Sequence, residues 1–146
     1  MGVLIDNQSS RLKIPVNRIE QTAQAILDAL DFPDGELSIL ILDDPQITRL
    51  NARYLNRSGP TNVIAFPMQE GRFSTVSPHL LGDVVISDET AEREGLSAGI
   101  DPERRFFELL IHGVLHLVGY DHEAGPEAAR KMTEKERDLV QAVDLD

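Results

Sequence analysis

Three of the chain's four histidines fall in one short stretch, His112-Gly-Val-Leu-His116-Leu-Val-Gly119-Tyr-Asp-His122. His112 and His116 are one helical turn apart on the same face, so both imidazoles can converge on one ion. A third ligand six residues later cannot come from the same helix continuing straight. Gly119 stands where a residue in left-handed conformation would stop the helix and bring His122 back over the other two. The spacing reads as helix, glycine stop, return. Three imidazoles in a chain with no cysteine suit one divalent ion, zinc first, with nickel or another borderline metal next. Three protein ligands also leave a position for water or substrate, the pattern of catalytic sites and not of closed structural ones.

The spacing equals that of the metzincin peptidases, His-Glu-x-x-His-x-x-Gly-x-x-His, in which the Glu after the first histidine is the general base. Here that position is Gly113, which has no side chain to accept a proton. A peptidase reading is therefore demoted to a distant third, while the metal geometry survives. Glu108 precedes His112 by about one turn and faces the ligand side, as a partner for an imidazole, a proton acceptor or a plain surface carboxylate. Asp121 abuts His122, where it either orients an imidazole or caps the chain reversal. His79 lies in a loop and reads as a surface histidine. Phe106-Phe107, Leu109-Leu110 and Leu117-Val118 read as core. With 5% aromatics and no Trp, an open base-stacking platform is not expected.

In its wider context, His-Gly-x-x-His-Leu-x-Gly-Tyr-Asp-His, the segment resembles the YbeY family of bacterial rRNA-maturation endoribonucleases. Pro60-Thr-Asn-Val-Ile-Ala-Phe-Pro67 is similar to that family's Pro-Thr-Asp/Asn-Val-Leu-Ser-Phe strand. Leu81-Gly-Asp-Val-Val-Ile-Ser87 is similar to its Leu-Gly-Asp-Ile strand, and Leu50-Asn51 with Tyr54 fits the preceding helix. The likeness runs from about Leu37 to Val140. It implies a metal-dependent hydrolase acting on single-stranded RNA, with His112, His116 and His122 as ligands. It also implies a place in 16S rRNA maturation and ribosome quality control, with rRNA and the small ribosomal subunit as partners and no DNA substrate. Two positions depart from the pattern: the family's Tyr-Arg pair reads Tyr54-Leu55, and its strand serine is Ala65.

Arg49, Arg53 and Arg57 recur every four residues. They read either as a solvated helix face or as a phosphate-binding stripe beside the metal. Arg57, two residues past the missing arginine, is the candidate to stabilise charge growing on a phosphoryl oxygen, with Arg53 second. The ion itself would polarise that oxygen or acidify a water. Set against this enzyme is a reading as a ribosome-assembly factor with a structural metal and weak or no catalysis, which Leu55 and the missing glutamate favour.

The elements that must position these residues follow from period and punctuation. Val3–Gln8 reads as a first strand, and Pro15 opens a helix with Ile19, Ala23, Ile26, Leu27 and Leu30 on one face. Phe32–Gly35 is a turn and Leu37–Leu42 a strand. Asp44-Pro45 starts a helix to about Asn56 by cap and first-turn preference. Asn62–Phe66 and Asp83–Ser87 read as strands, with a Gly/Ser/Pro loop at Glu70–Pro78 between them. Asp88 caps a helix to about Ala98, Asp101-Pro102 opens the histidine helix up to Gly119, and Pro126 opens a charged helix to about Val143. The order β-α-β-α-β-β-α-α-α predicts one α/β (α+β) domain over residues 1–146. It has a four-stranded, mostly parallel sheet with one antiparallel strand, packed by about five helices. The apolar run Leu109–Val118 predicts a histidine helix buried on more than one side.

Length and composition agree with one globular core: 146 residues, 41% hydrophobic and 27% charged. No apolar run reaches the ~18 residues of a membrane span, and Met-Gly-Val-Leu-Ile-Asp lacks the basic and apolar regions of a signal peptide. A cytoplasmic protein of undetermined oligomeric state is expected. The net charge is −11. Seven basic residues face nine acidic ones up to Arg72, and seven face sixteen beyond it. General attraction to nucleic acid is thereby excluded, so RNA binding requires local cationic features.

Overall fold

Alternation of side chains in the central strands gives each sheet face its own helices. In this computed structural model, which describes residues 2–68 and 79–145, the strands are β1 (Val3–Asn7), β2 (Glu36–Leu42), β3 (Val63–Pro67) and β4 (Leu80–Ser87). They form one sheet in the order β1-β2-β4-β3, with β1, β2 and β4 parallel and β3 antiparallel to β4. The predicted mixed sheet is thus present. The antiparallel pair is the one whose intervening sequence carries no helical period, because a reversal needs no crossover. The loop predicted at Glu70–Pro78 lies outside the described residues.

The helices are α1 (Val16–Ala29), α2 (Asp44–Leu55), α3 (Asp88–Ala98), α4 (Pro102–Leu117) and α5 (Pro126–Ala142). Ile39, Ile41, Val84 and Ile86 share one core cluster with residues of α1, α4 and α5. On the other face, Leu42, Ile64 and Val85 pack with Ile47 of α2. Period-two alternation along β2 and β4 produces this division. Nine residues of α4 are buried, including Phe106 and Phe107. Truncating either phenylalanine to Ala would cost about 3–5 kcal/mol. Sheet, α3 and α5 all pack on α4, which is why its apolar run is nearly unbroken.

Bounds of β1, β2 and β3 shift by one residue from expectation, and three starts differ for reasons of local chemistry. The cap of α2 is Asp43, not Asp44: Gln46 N–H donates to Asp43 at 2.9 Å, and the Gln46 side chain accepts from Asp43 N–H at 3.0 Å, closing a capping box. The cap of α3 is Ser87, not Asp88. In both helices the acidic residue stands at the next position and binds groups outside its own turn. β4 begins at Leu80, three residues earlier than Asp83. Gly82 obscured this start, since it reads as a strand breaker. It sits at φ +137° where a Cβ would fall 2.2 Å from the Phe66 carbonyl oxygen, so glycine is what lets β3 and β4 meet.

Candidate metal centre

Buried α4 carries the first two histidines on rigid backbone. At Gly113 an added Cβ would lie 2.6 Å from Val84 Cγ1 and 3.2 Å from Val63 Cγ2. The position that holds a catalytic glutamate in the peptidase motif is here the seat of close helix–sheet packing. After Leu117 the chain stops as the glycine spacing predicts. Gly119 has φ +104°. Tyr120 N–H donates to Leu115 O at 3.0 Å and Gly119 N–H to His116 O at 3.2 Å, the paired bonds of a Schellman motif. The reversal returns His122 to the face occupied by His112 and His116.

The three rings then face one another, with ligand-capable atoms all within 4.8 Å. Ring centroids are 4.7, 5.3 and 5.1 Å apart. His112 Nε2 and His116 Nε2 are separated by 3.1 Å. For comparison, Zn–N bonds of ~2.0–2.1 Å in tetrahedral geometry put neighbouring nitrogens ~3.3 Å apart. The hydrogen-bond partners assign the tautomers. His112 Nδ1 lies 3.0 Å from Glu136 Oε2, so it carries the proton and donates. His116 makes a backbone hydrogen bond with Tyr120 that favours a protonated nitrogen there. His112 Nε2 is thus left with its lone pair facing His116 Nε2, an arrangement that suits a shared cation. The donor set fits a borderline divalent metal. Burial, followed by the neighbouring His112 and His122, lowers the His116 pKa below the ordinary histidine value; Asp121 and the Tyr120 backbone act in the opposite direction. A neutral ligand at physiological pH is the result.

The histidines border a cleft of about 520 Å³, also lined by Leu55, Arg57, Asn62, Ala65 and Asp121. Arg57 is brought there by the end of α2. Asn56 turns left-handed at φ 54°, Arg57 N–H donates to Asn51 O at 3.3 Å, and the buried Asn51 side chain donates to Gly59 O at 3.0 Å. Leu55 and Arg57 therefore share one cleft. Arg53 and Arg49 are not on its lining; Arg53 stacks at 5.5 Å over the ring of Tyr54. The stripe contributes one arginine to the cleft because the helix ends before its third member.

Glu108 is not brought to the histidine cleft. Arg104 donates to it at 3.3 Å and Arg105 at 3.0 Å, in an adjoining pocket that meets the cleft at Asn62 and His112. Asp121 takes its capping role, accepting from Glu123 N–H at 2.9 Å. His79 is exposed. Phe106, Phe107, Leu109 and Leu110 are core, as expected. Sequence reasoning missed Glu136. A signal for it existed: on α5 it lies in the inward stripe with Met132 and Leu139, both buried, where the helical period calls for an apolar residue.

Comparison with known proteins agrees with this geometry. The family model described as Endoribonuclease YbeY matches residues 4–144. A protein named Endoribonuclease YbeY from Syntrophotalea carbinolica is 49% identical over 141 residues, covering 95% of this chain and 94% of the relative. Its namesake from Geobacter metallireducens is 47% identical over 140 residues, covering 95% and 93%. A solution structure from Thermotoga maritima, 22% identical, superposes with a TM-score of 0.69 over 97% of this chain and 88% of the other, a likeness of fold. The whole-length family match, carried by relatives nearly half identical, means that this chain belongs to the Endoribonuclease YbeY family.

Proposed function

We propose that this chain is a metal-dependent, single-strand-specific endoribonuclease acting in 16S rRNA maturation and ribosome quality control, with the small ribosomal subunit as partner and the cytoplasm as its place of action. The observation that carries the reading is the convergence of His112, His116 and His122 beside Arg57 in one cleft. Family membership supports RNA as the substrate class, since the matched relatives are named endoribonucleases. No described helix is long and apolar enough to cross a membrane.

The three imidazoles would hold one divalent ion, zinc first and nickel second. When bound, it supplies Lewis-acid stabilisation of phosphoryl charge and acidifies water. Neutral ligands leave the ion's charge uncompensated for that work. Arg57 places its guanidinium charge on the same cleft as the histidines, where it stabilises the phosphoryl oxygens as charge grows on them. It takes the part of the arginine that is replaced by Leu55. Glu108, one pocket away and paired with two arginines, serves as a proton acceptor only by way of a water reaching past His112.

The test is cleavage of labelled single-stranded RNA by zinc-loaded protein, with casein and DNA as controls. RNA cleavage is lost in His112→Ala. In Arg57→Ala it is slowed by about 10²-fold with metal content intact. An unchanged rate in Arg57→Ala returns that residue to the solvated surface. A cyclic phosphate at the new 3′ end identifies the RNA 2′-OH as nucleophile, and its absence identifies water. No cleavage together with binding to small ribosomal subunits favours the assembly-factor reading, for which Leu55 on the cleft wall is the specific observation.

A further inference from the structure

The structure assigns Glu136 as the positioning residue of the metal centre, an inference that rests on the metal-binding reading above. The carboxylate comes from α5, a helix separate from the one bearing His112, and approaches the imidazole on its non-ligating side. Its Oε2 is 3.0 Å from His112 Nδ1. Nε2 of the same ring faces His116 Nε2 at 3.1 Å. One hydrogen bond therefore decides two things: which nitrogen carries the proton, and which way the free lone pair points. A charged acceptor on Nδ1–H also makes the opposite nitrogen a stronger donor to a cation.

Glu136 is held firmly enough for this part. Met132 and Leu139, about one turn to either side on α5, are each 1% exposed and belong to the main core. The backbone carrying the carboxylate is thereby fixed against α4. Other acids of α5 behave differently, since Glu127 and Glu134 both pair with Arg130 on the exposed face. Glu136 and His112 are both partly shielded, with side-chain exposures of 32% and 28%, so their hydrogen bond competes with water less than a surface pair does.

The experiment is zinc affinity of the full chain by competition with a chromophoric chelator, without RNA, alongside melting of the metal-free protein. Loss of such a partner weakens metal binding by about 10- to 100-fold, the expected result for Glu136→Ala, with metal-free melting near that of the parent. Glu136→Gln, whose amide oxygen still accepts from Nδ1–H, recovers most of the loss. Affinity of Glu136→Ala within about twofold of the parent overturns the assignment, because an orienting partner is worth more than that. So does a Gln variant as weak as Ala, or a metal-free melting temperature that falls together with affinity. A parent that binds no zinc overturns both this inference and the metal-centre reading. A parent that binds zinc yet leaves RNA intact removes only the nuclease reading, and the Glu136 comparison stands.

Discussion

At the starts of α2 and α3, the Asp44 carboxylate accepts from Ser87 Oγ and Thr90 Oγ1, both at 2.6 Å, and from Arg93 at 3.0 Å. Beside it, the buried Asp88 accepts from Ser9 Oγ at 2.6 Å and Leu12 N–H at 3.1 Å. At the C-terminal end of α4, three imidazoles instead bring ligand-capable nitrogens within 4.8 Å of one another. In the acidic knot, protein donors satisfy each carboxylate, so the knot ties loop and helix starts together and has no use for a ligand. In the histidine group, a protein acceptor satisfies the outer nitrogen of His112, Nδ1, and leaves the inner one for an outside cation. The direction of the unsatisfied atoms, more than the density of titratable residues, separates a structural polar cluster from a candidate site.

The comparison breaks most visibly at the histidines. His116→Ala is expected to lower zinc from one ion per chain to near none by elemental analysis, with RNA cleavage lost and the acidic knot untouched. Equal metal content in parent and variant would erase the distinction drawn here. Gly113→Ala forces a Cβ to 2.6 Å from Val84, and overpacking of this kind costs about 1–3 kcal/mol. Its melting temperature should fall, and metal affinity with it, because the added methyl pushes α4 and His112 off the sheet.

Asp44→Ala leaves the donors of Ser87, Thr90 and Arg93 without their acceptor. A loss of about 1–3 kcal/mol is expected in denaturant unfolding, with metal content unchanged. A metal loss in this variant would show the two regions to be coupled. The smallest effect is in pH. Burial alone would raise the Asp44 pKa, but the hydrogen bonds from Ser87, Thr90 and Arg93 outweigh it and hold the carboxyl below its ordinary value. A depressed folded pKa contributes stability that is present above the unfolded value of ~3.9 and is lost as pH falls through the folded one. Asp44→Asn should therefore flatten the acid limb of the stability curve below about pH 4. A limb as steep as the parent's would assign acid unfolding to other carboxylates.

Much of the molecule was readable because it depends on local rules. The turn at Gly119 needs a residue that tolerates φ +104°, and glycine there, three residues after His116, announces the reversal in one dimension. The absence of a helical period between β3 and β4 likewise marks the antiparallel pair. Caps were less readable. Both Asp43-Asp44 and Ser87-Asp88 offer two acceptable capping residues in succession. What decides between them is a contact from elsewhere in the chain, as when Ser87 donates to Asp44 across 43 positions of sequence.

The sequence by itself determined the three-histidine group, the helix that carries its first two members and the order of elements. Each depends on spacing within a few residues, where backbone geometry leaves few alternatives. Only the tertiary structure decided that Glu136 and Arg57 join the histidines while Glu108 does not. Glu108 had the right helical phase, but α4 presents that position to Arg104 and Arg105. Glu136 is 24 residues from His112, and its approach depends on how α5 seats Met132 and Leu139 in the core. Contacts between separate elements depend on packing of the whole core, which no local spacing encodes.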